Sequence, residues 1–195
     1  MGDGGAPGCI LDKSQPLLPR GLPTFSANAA ECVLPADYLR LERQAAPKHE
    51  CFQGEIRAMG GASFAHNCIC ANLIIAVENQ LLGATCTPVG SDQRLQILNG
   101  SAHAHPDLIV VCGPSVFNED KKPDMYLNPA LLVAVLSPST ANNDRGEKFL
   151  HYRQIPSLRQ YLLLDSERLH AEPCPLDELG RWVLIEPATS PPCWT

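Results

Sequence analysis

Apolar residues recur along this chain in two rhythms, one helical and one of short unbroken runs, and the elements follow from where each rhythm starts and stops. From Leu34 the segment PADYLRLERQAA carries Tyr38, Leu39 and Leu41 as a short apolar stripe with Pro35 in the first turn, which predicts a helix. CFQGEIRAM places the Gln53-Gly54 pair between two short apolar stretches, a hairpin signal. Ser63 then offers an N-cap to a long helix, with Ile69, Leu73, Ala76, Val77, Gln80 and Leu81 at helical spacing and Gly83 as its stop. TPVGSDQRLQIL, DLIVVC and LLVAVLS read as strands, and the last two are continuous apolar runs of the kind buried on both faces of a sheet. SPSTANNDRG is a turn-rich connection to a helix over 147–154, RQYLLLD is a further strand, and a closing hairpin is expected around Leu169 and residues 181–185. The sum is an α/β protein with a central mixed β-sheet flanked by helices.

A chain of 195 residues is expected to form one domain with one sizeable core. Residues 1–30, rich in Gly and Pro, are expected to be a flexible N-terminal tail; 31–187 are the domain, and the Pro-rich 188–195 a C-terminal tail. The formal net charge of -6 means that no global field attracts a polyanion, so any nucleic-acid contact must come from a local basic surface or a bound cation. The nine cysteines form no CxxC pair, and only Cys68 and Cys70 approach zinc-ligand spacing. With no secretory signal in the first residues, the cysteines read as reduced, mostly buried small hydrophobes in a cytoplasmic protein. No apolar stretch nears the ~20 residues that would span a membrane, so no membrane partner is expected.

Candidate chemistry sits at the strand ends. Asp107 opens DLIVV, and a carboxylate at the mouth of a buried strand must face a site or find a partner. Glu55 lies in the hairpin ahead of the long helix, and Lys148 in the first turn of the helix after LLVAVLS. Carboxylates with a lysine are what metal-assisted phosphodiester hydrolysis needs: hard oxygens for Mg²⁺ (or Mn²⁺), and an ammonium to orient water or phosphate. Plainer readings make Asp107 a strand-start residue satisfied by backbone amides, Lys148 part of a solvated helix face, and Glu55 an exposed hairpin glutamate. His103 and His105 share a face with Asp107 in an extended HAHPD, but they lie in an apparent loop.

Over roughly Val33 to Asp165 the segments DYLRLER, KHECFQGEIRAMGGAS, GSDQR, PDLIVVCG, LNPALLVAVLSPST and DRGEKFLHYRQIPSLRQYLLLD resemble the Uma-two family of restriction-endonuclease-like proteins, in the PD-(D/E)xK nuclease superfamily. The resemblance implies a restriction-endonuclease-like core and divalent-metal cleavage of DNA. It assigns Asp107 and Glu55 to the metal, Lys148 to catalysis, and His66, Asn67 and Asp92 to the site periphery. It also exposes a departure. Where the family strand reads like VEVLS, with its glutamate on the metal, this chain reads Val133-Ala134-Val135-Leu136-Ser137. Ala134 shares a strand face with Leu132 and Leu136, so a methyl group stands at the ligand position. Loss of a ligand should cost at least the ~10–100-fold that outer-shell changes cost, about 1.4–2.7 kcal/mol and upward. Two functions follow: a metal-dependent DNA endonuclease with an impaired site, or an inactive nuclease-fold protein that binds DNA or assembles. A non-nuclease metal enzyme using His103 and His105 is a more remote third. A homodimer would suit cleavage of both DNA strands.

Overall fold

The computed structural model describes residues 33–97, 100–118 and 124–185, so both expected tails lie outside the described residues. Helix α1 (Pro35–Glu42) leads into the hairpin β1 (His49–Phe52) and β2 (Glu55–Ala58), followed by α2 (Phe64–Gln80). Strands β3 (Cys86–Gly90), β4 (Arg94–Ile97), β5 (Ala102–Ala104), β6 (Leu108–Cys112), β7 (Met125–Tyr126) and β8 (Leu131–Leu136) come next. A helical stretch of α3 (Ala141–Asn143), a π-helical turn (Asp144–Lys148) and α4 (Phe149–Tyr152) then precedes β9 (Gln160–Asp165) and β10 (Ala171–Pro175).

The α/β class holds, with the strands divided between two five-stranded mixed sheets. One runs β2-β1-β5-β4-β7 and the other β10-β9-β8-β6-β3. In the second, β8 is parallel to β9 and antiparallel to β6, and both faces are covered. Ile109, Val111, Leu132, Ala134 and Leu136 face the main core with Tyr152 and Tyr161. Leu108, Val110 and Val133 face the opposite way, against Leu73, Ile74, Val77 and Leu81 of α2. Residues such as Leu108, Ile109 and Leu132 are fully buried, each stabilising the fold by roughly 1.5–3 kcal/mol. That double burial is why DLIVV and LLVAVL lack polar alternation.

Local chemistry explains the boundaries. Ser63 caps α2, its hydroxyl accepting from the His66 amide at 3.1 Å. Gln53 and Gly54 both take positive φ, 52° and 86°, the conformation of a tight hairpin turn, so only the second demands glycine.

Five expectations need correction. TPVGSDQRLQIL is two strands in different sheets, because Gly90 to Gln93 closes a turn in which the Gln93 amide donates to the Gly90 carbonyl at 3.1 Å. The segment after β8 is helical from Ala141, six residues early: the Ser137 and Thr140 hydroxyls bond each other at 3.1 Å, and the Ser137 carbonyl accepts the Ala141 amide at 3.0 Å. His103 lies in β5, not a loop. The closing hairpin forms between β10 and residues 182–185, through Val183 N–H to the Pro175 carbonyl and Ile185 N–H to the Pro173 carbonyl. Cys86 and Cys112, opposed on β3 and β6, are joined in a disulfide, so the reading of uniformly reduced cysteines does not hold, nor does the buried position expected for Cys112. Among the described residues, no helix is long and apolar enough to cross a membrane.

Candidate functional site

The two sheets and the helical stretch after β8 enclose a cleft of about 1040 Å³. Its lining brings together Asp107, Lys148, His66, Asn67 and Ala134, which are far apart in sequence. Glu50, Asp144, Arg57 and Lys48 join them. Glu55 and Asp92 do not.

Asp107 stands just before β6. Since Leu108 pairs with Val133 and Ile109 with Leu132, the antiparallel register carried one step further sets Asp107 opposite Ala134. One carboxylate oxygen accepts the Val135 amide at 2.7 Å, and the other lies 3.4 Å from His66 Nε2. Burial raises the Asp107 pKa above its ordinary value, against the lowering influence of the Val135 amide and His66. A desolvated carboxylate with so little countercharge favours a cation beside it.

The facing wall is built differently. Lys148 Nζ sits 2.8 Å from Glu50 Oε2 and 3.0 Å from Asp144 Oδ1, and all three groups are buried. Burial works against the charged ammonium, but the two carboxylates outweigh it and hold the Lys148 pKa above its ordinary value. The π-helical turn contributes to this geometry by presenting Asp144 and Lys148 on one side of the helical stretch. The second oxygen of Glu50 accepts the His105 amide at 3.2 Å. Tyr161 donates its hydroxyl to the Asp144 carbonyl at 3.3 Å, which fixes the turn from below.

The periphery falls into place around these groups. Glu55 is exposed, and Arg57 beside it holds its carboxyl below the usual range at 2.9 Å. Arg57 also pairs with Glu147, so the guanidinium staples the hairpin to the helical stretch. Asp92 belongs to the turn after β3, pairs with Lys48 at 2.6 Å and faces a separate depression of about 460 Å³ that touches the main cleft at Cys70, Ser91 and Asp107. His103 is fully buried against Tyr38, with ring centroids 4.8 Å apart and neither ring nitrogen hydrogen-bonded; burial drops its pKa to about 4. His105 lines the cleft, but its Nδ1 meets the Ser91 carbonyl at 3.0 Å and its Nε2 faces Glu42 at 3.7 Å. The two histidines therefore do not join Asp107 in one donor set.

Of the cleft's buried carboxylates, sequence reasoning missed Glu50 and Asp144. The signal was present in KHECF: Glu50 shares a strand face with Phe52, which is fully buried, whereas Glu55 sits across from Phe52 at the turn end of the hairpin. Counted as Asp/Glu against Lys/Arg, the cleft lining holds Glu50, Asp107, Asp144 and Glu167 against Lys48, Arg57 and Lys148. An added divalent cation would reverse that balance, as a phosphate ligand requires.

The family model Uma2, described as "Putative restriction endonuclease", matches residues 35–192. Two uncharacterized proteins of Synechocystis sp. are similar in sequence: slr1290, 38% identical over 152 residues and covering 77% of this chain and 78% of that protein, and sll1609, 34% identical over 151 residues and covering 77% and 85%. In three dimensions the chain is similar to the crystal structure of "a putative nuclease belonging to DUF820" from Anabaena variabilis, with a TM-score of 0.64 over 79% of this chain and 84% of that one. At 14% identity that likeness speaks for the fold alone.

Proposed function

The chain belongs to the Uma2 family, described as putative restriction endonucleases, and on that premise we propose that its cleft hydrolyses DNA phosphodiesters with Mg²⁺ or Mn²⁺. The observation that carries the reading is the meeting of Asp107 and Lys148 in one cleft, from elements 41 residues apart in number, alongside a second buried carboxylate. The donor set fits a hard cation, since Mg²⁺ commonly takes one or two protein carboxylates and keeps its waters. Asp107 and Glu50 would hold it, and when bound it supplies charge neutralisation at the scissile phosphate. Lys148 holds Glu50 in place and turns its ammonium toward the cleft, where it can orient a phosphate oxygen or the attacking water. Arg57 and Lys48 line the cleft wall but are already paired, Arg57 with Glu55 and Glu147 and Lys48 with Asp92, so the positive charge that the DNA backbone needs would come chiefly from the bound cation.

Ala134 favours a second reading. Its methyl stands across from Asp107, where a glutamate would place a further carboxylate on the cation; on this reading the chain keeps the groove for DNA binding or assembly without cleavage. Plasmid nicking in Mn²⁺ separates the two. The native chain should cleave slowly, Ala134→Glu should cleave faster by about 10–100-fold or more, and Asp107→Ala should not cleave. Activity confined to Ala134→Glu identifies a damaged site. Absence of cleavage in all three leaves binding as the function.

A further inference from the structure

A second set of donors meets Asp107 from the helix side of the cleft. His66 and Cys70 stand four residues apart on α2, so both side chains project from the same helix face toward the start of β6. Cys70 Sγ lies 3.5 Å from His66 Nδ1, and His66 Nε2 lies 3.4 Å from Asp107 Oδ1. One imidazole nitrogen, the thiol sulfur and one carboxylate oxygen fall within 4.8 Å of one another. Tetrahedral zinc bonded to sulfur, nitrogen and oxygen at ordinary lengths sets its ligand atoms roughly 3.4–3.7 Å apart, so the set closes when the His66 ring turns one nitrogen toward both partners and the three atoms draw in by about 1 Å.

We propose that His66, Cys70 and Asp107 form a binding site for a borderline divalent cation of the zinc class, with a fourth coordination position left to water or a phosphate oxygen from the cleft. Ligand type carries the choice of ion. A thiolate and an imidazole are poor partners for Mg²⁺ but favoured ones for Zn²⁺ and Co²⁺. Two protein ligands on one helix and a third just ahead of a buried strand hold the geometry, and the adjoining cleft keeps the fourth position accessible. Binding replaces the sulfur–hydrogen bond of Cys70 by a sulfur–metal bond, and the proton leaves to buffer. Cys68, two residues earlier on the same helix, lies outside the donor set and serves as an internal control. The site shares Asp107 with the nuclease reading and takes His66 from that reading's periphery, but does not depend on it.

The test titrates the full chain with Co²⁺ and follows the thiolate-to-cobalt charge-transfer absorption, then displaces the cobalt with Zn²⁺. One ion per chain is expected, with a thiolate band that persists in Cys68→Ala and disappears in Cys70→Ala. Zn²⁺ affinity in Cys70→Ala and in His66→Ala should fall at least 10–100-fold, about the loss that even outer-shell changes bring. Cys70→Ser, nearly the same size, guards against a folding artefact: with native circular dichroism it must still lose the band. A native chain without a stoichiometric thiolate band, or a band that survives Cys70→Ala, overturns the proposal. A normal band in a chain that fails to nick DNA in Mn²⁺ supports the site and counts only against the nuclease reading.

Discussion

The two walls of the cleft hold their carboxylates by opposite means. On the wall made by β1 and the helical stretch, Glu50 and Asp144 share one lysine, and Glu50 also takes a backbone amide. On the wall made by β6 and α2, Asp107 has one amide, a histidine and a thiol, and no lysine or arginine within ion-pair distance among the described residues. On the first wall one ammonium is shared by two carboxylates, which leaves that set one negative charge in excess. The second has coordination to spare, and its raised Asp107 pKa is the thermodynamic mark of that. The two sets of carboxylates are thus told apart by how far each group's hydrogen-bonding and charge are already met.

Removing charge should therefore have opposite consequences on the two walls. Lys148→Met leaves Glu50 and Asp144 buried with no shared cation, and breaking a buried pair this way costs about 3–5 kcal/mol. Chemical unfolding should show it as a lower midpoint with an unchanged slope. A loss under about 1 kcal/mol would mean that the network is as weak as a surface pair, and the contrast would fail.

Asp107→Asn sharpens the contrast in the other direction. The amide keeps an acceptor for Val135 while removing a desolvated charge, so the variant should gain stability at neutral pH, on the order of 1 kcal/mol, as active-site replacements commonly do. The pH dependence follows from linkage. A folded-state pKa raised above 3.8 means that the folded chain binds the proton more tightly than the unfolded one. The native chain then loses stability as pH rises from 3.8 through the raised value, and the variant does not. Lys148 follows the same sign in a far higher window: its pKa lies above 10.5 in the fold, so its contribution is intact below 10.5 and is lost as pH climbs past the raised value. Unfolding curves of both proteins across acid to neutral pH check the sign. A stability difference that shrinks with rising pH would contradict the desolvation account.

How much of this was legible in the chain depends on whether the information was local. The continuous apolar runs DLIVV and LLVAVL named the buried strands, and the same two runs positioned Asp107 and Ala134, because register follows once both strands are fully buried. Ser63 and Gly83 marked the ends of α2, and Gln53-Gly54 the hairpin turn, through side-chain and φ chemistry that needs no tertiary context. The division into two sheets was not legible, because β3 and β4 differ only in which partner they find after the turn at 91–93. Nor was the pairing of Lys148 with Glu50, which joins positions 98 apart. Cys70 was weighed only by its spacing from Cys68, yet what places it is the four-residue step from His66 on one helix face.

The smallest expected effect tests the choice between two glutamates of one hairpin. Glu50 and Glu55 lie on the same face of β1 and β2, since Phe52 is opposed to Glu55 and shares its side with Glu50. They differ by one step of the ladder, roughly 7 Å along the strands at ~3.4 Å per residue. That step carries Glu55 out of the cleft to the turn, where it pairs with Arg57, an arginine that Glu147 also holds. Glu55→Ala should alter unfolding free energy by no more than about 0.5 kcal/mol and leave nicking in Mn²⁺ unchanged, because Arg57 retains Glu147. Glu50→Gln, in contrast, removes a charge that Lys148 needs and should lower nicking and stability together. Were Glu55→Ala the more damaging of the two, the acidic donor would belong to the hairpin turn, and the cleft would have to close over it when DNA and cation bind.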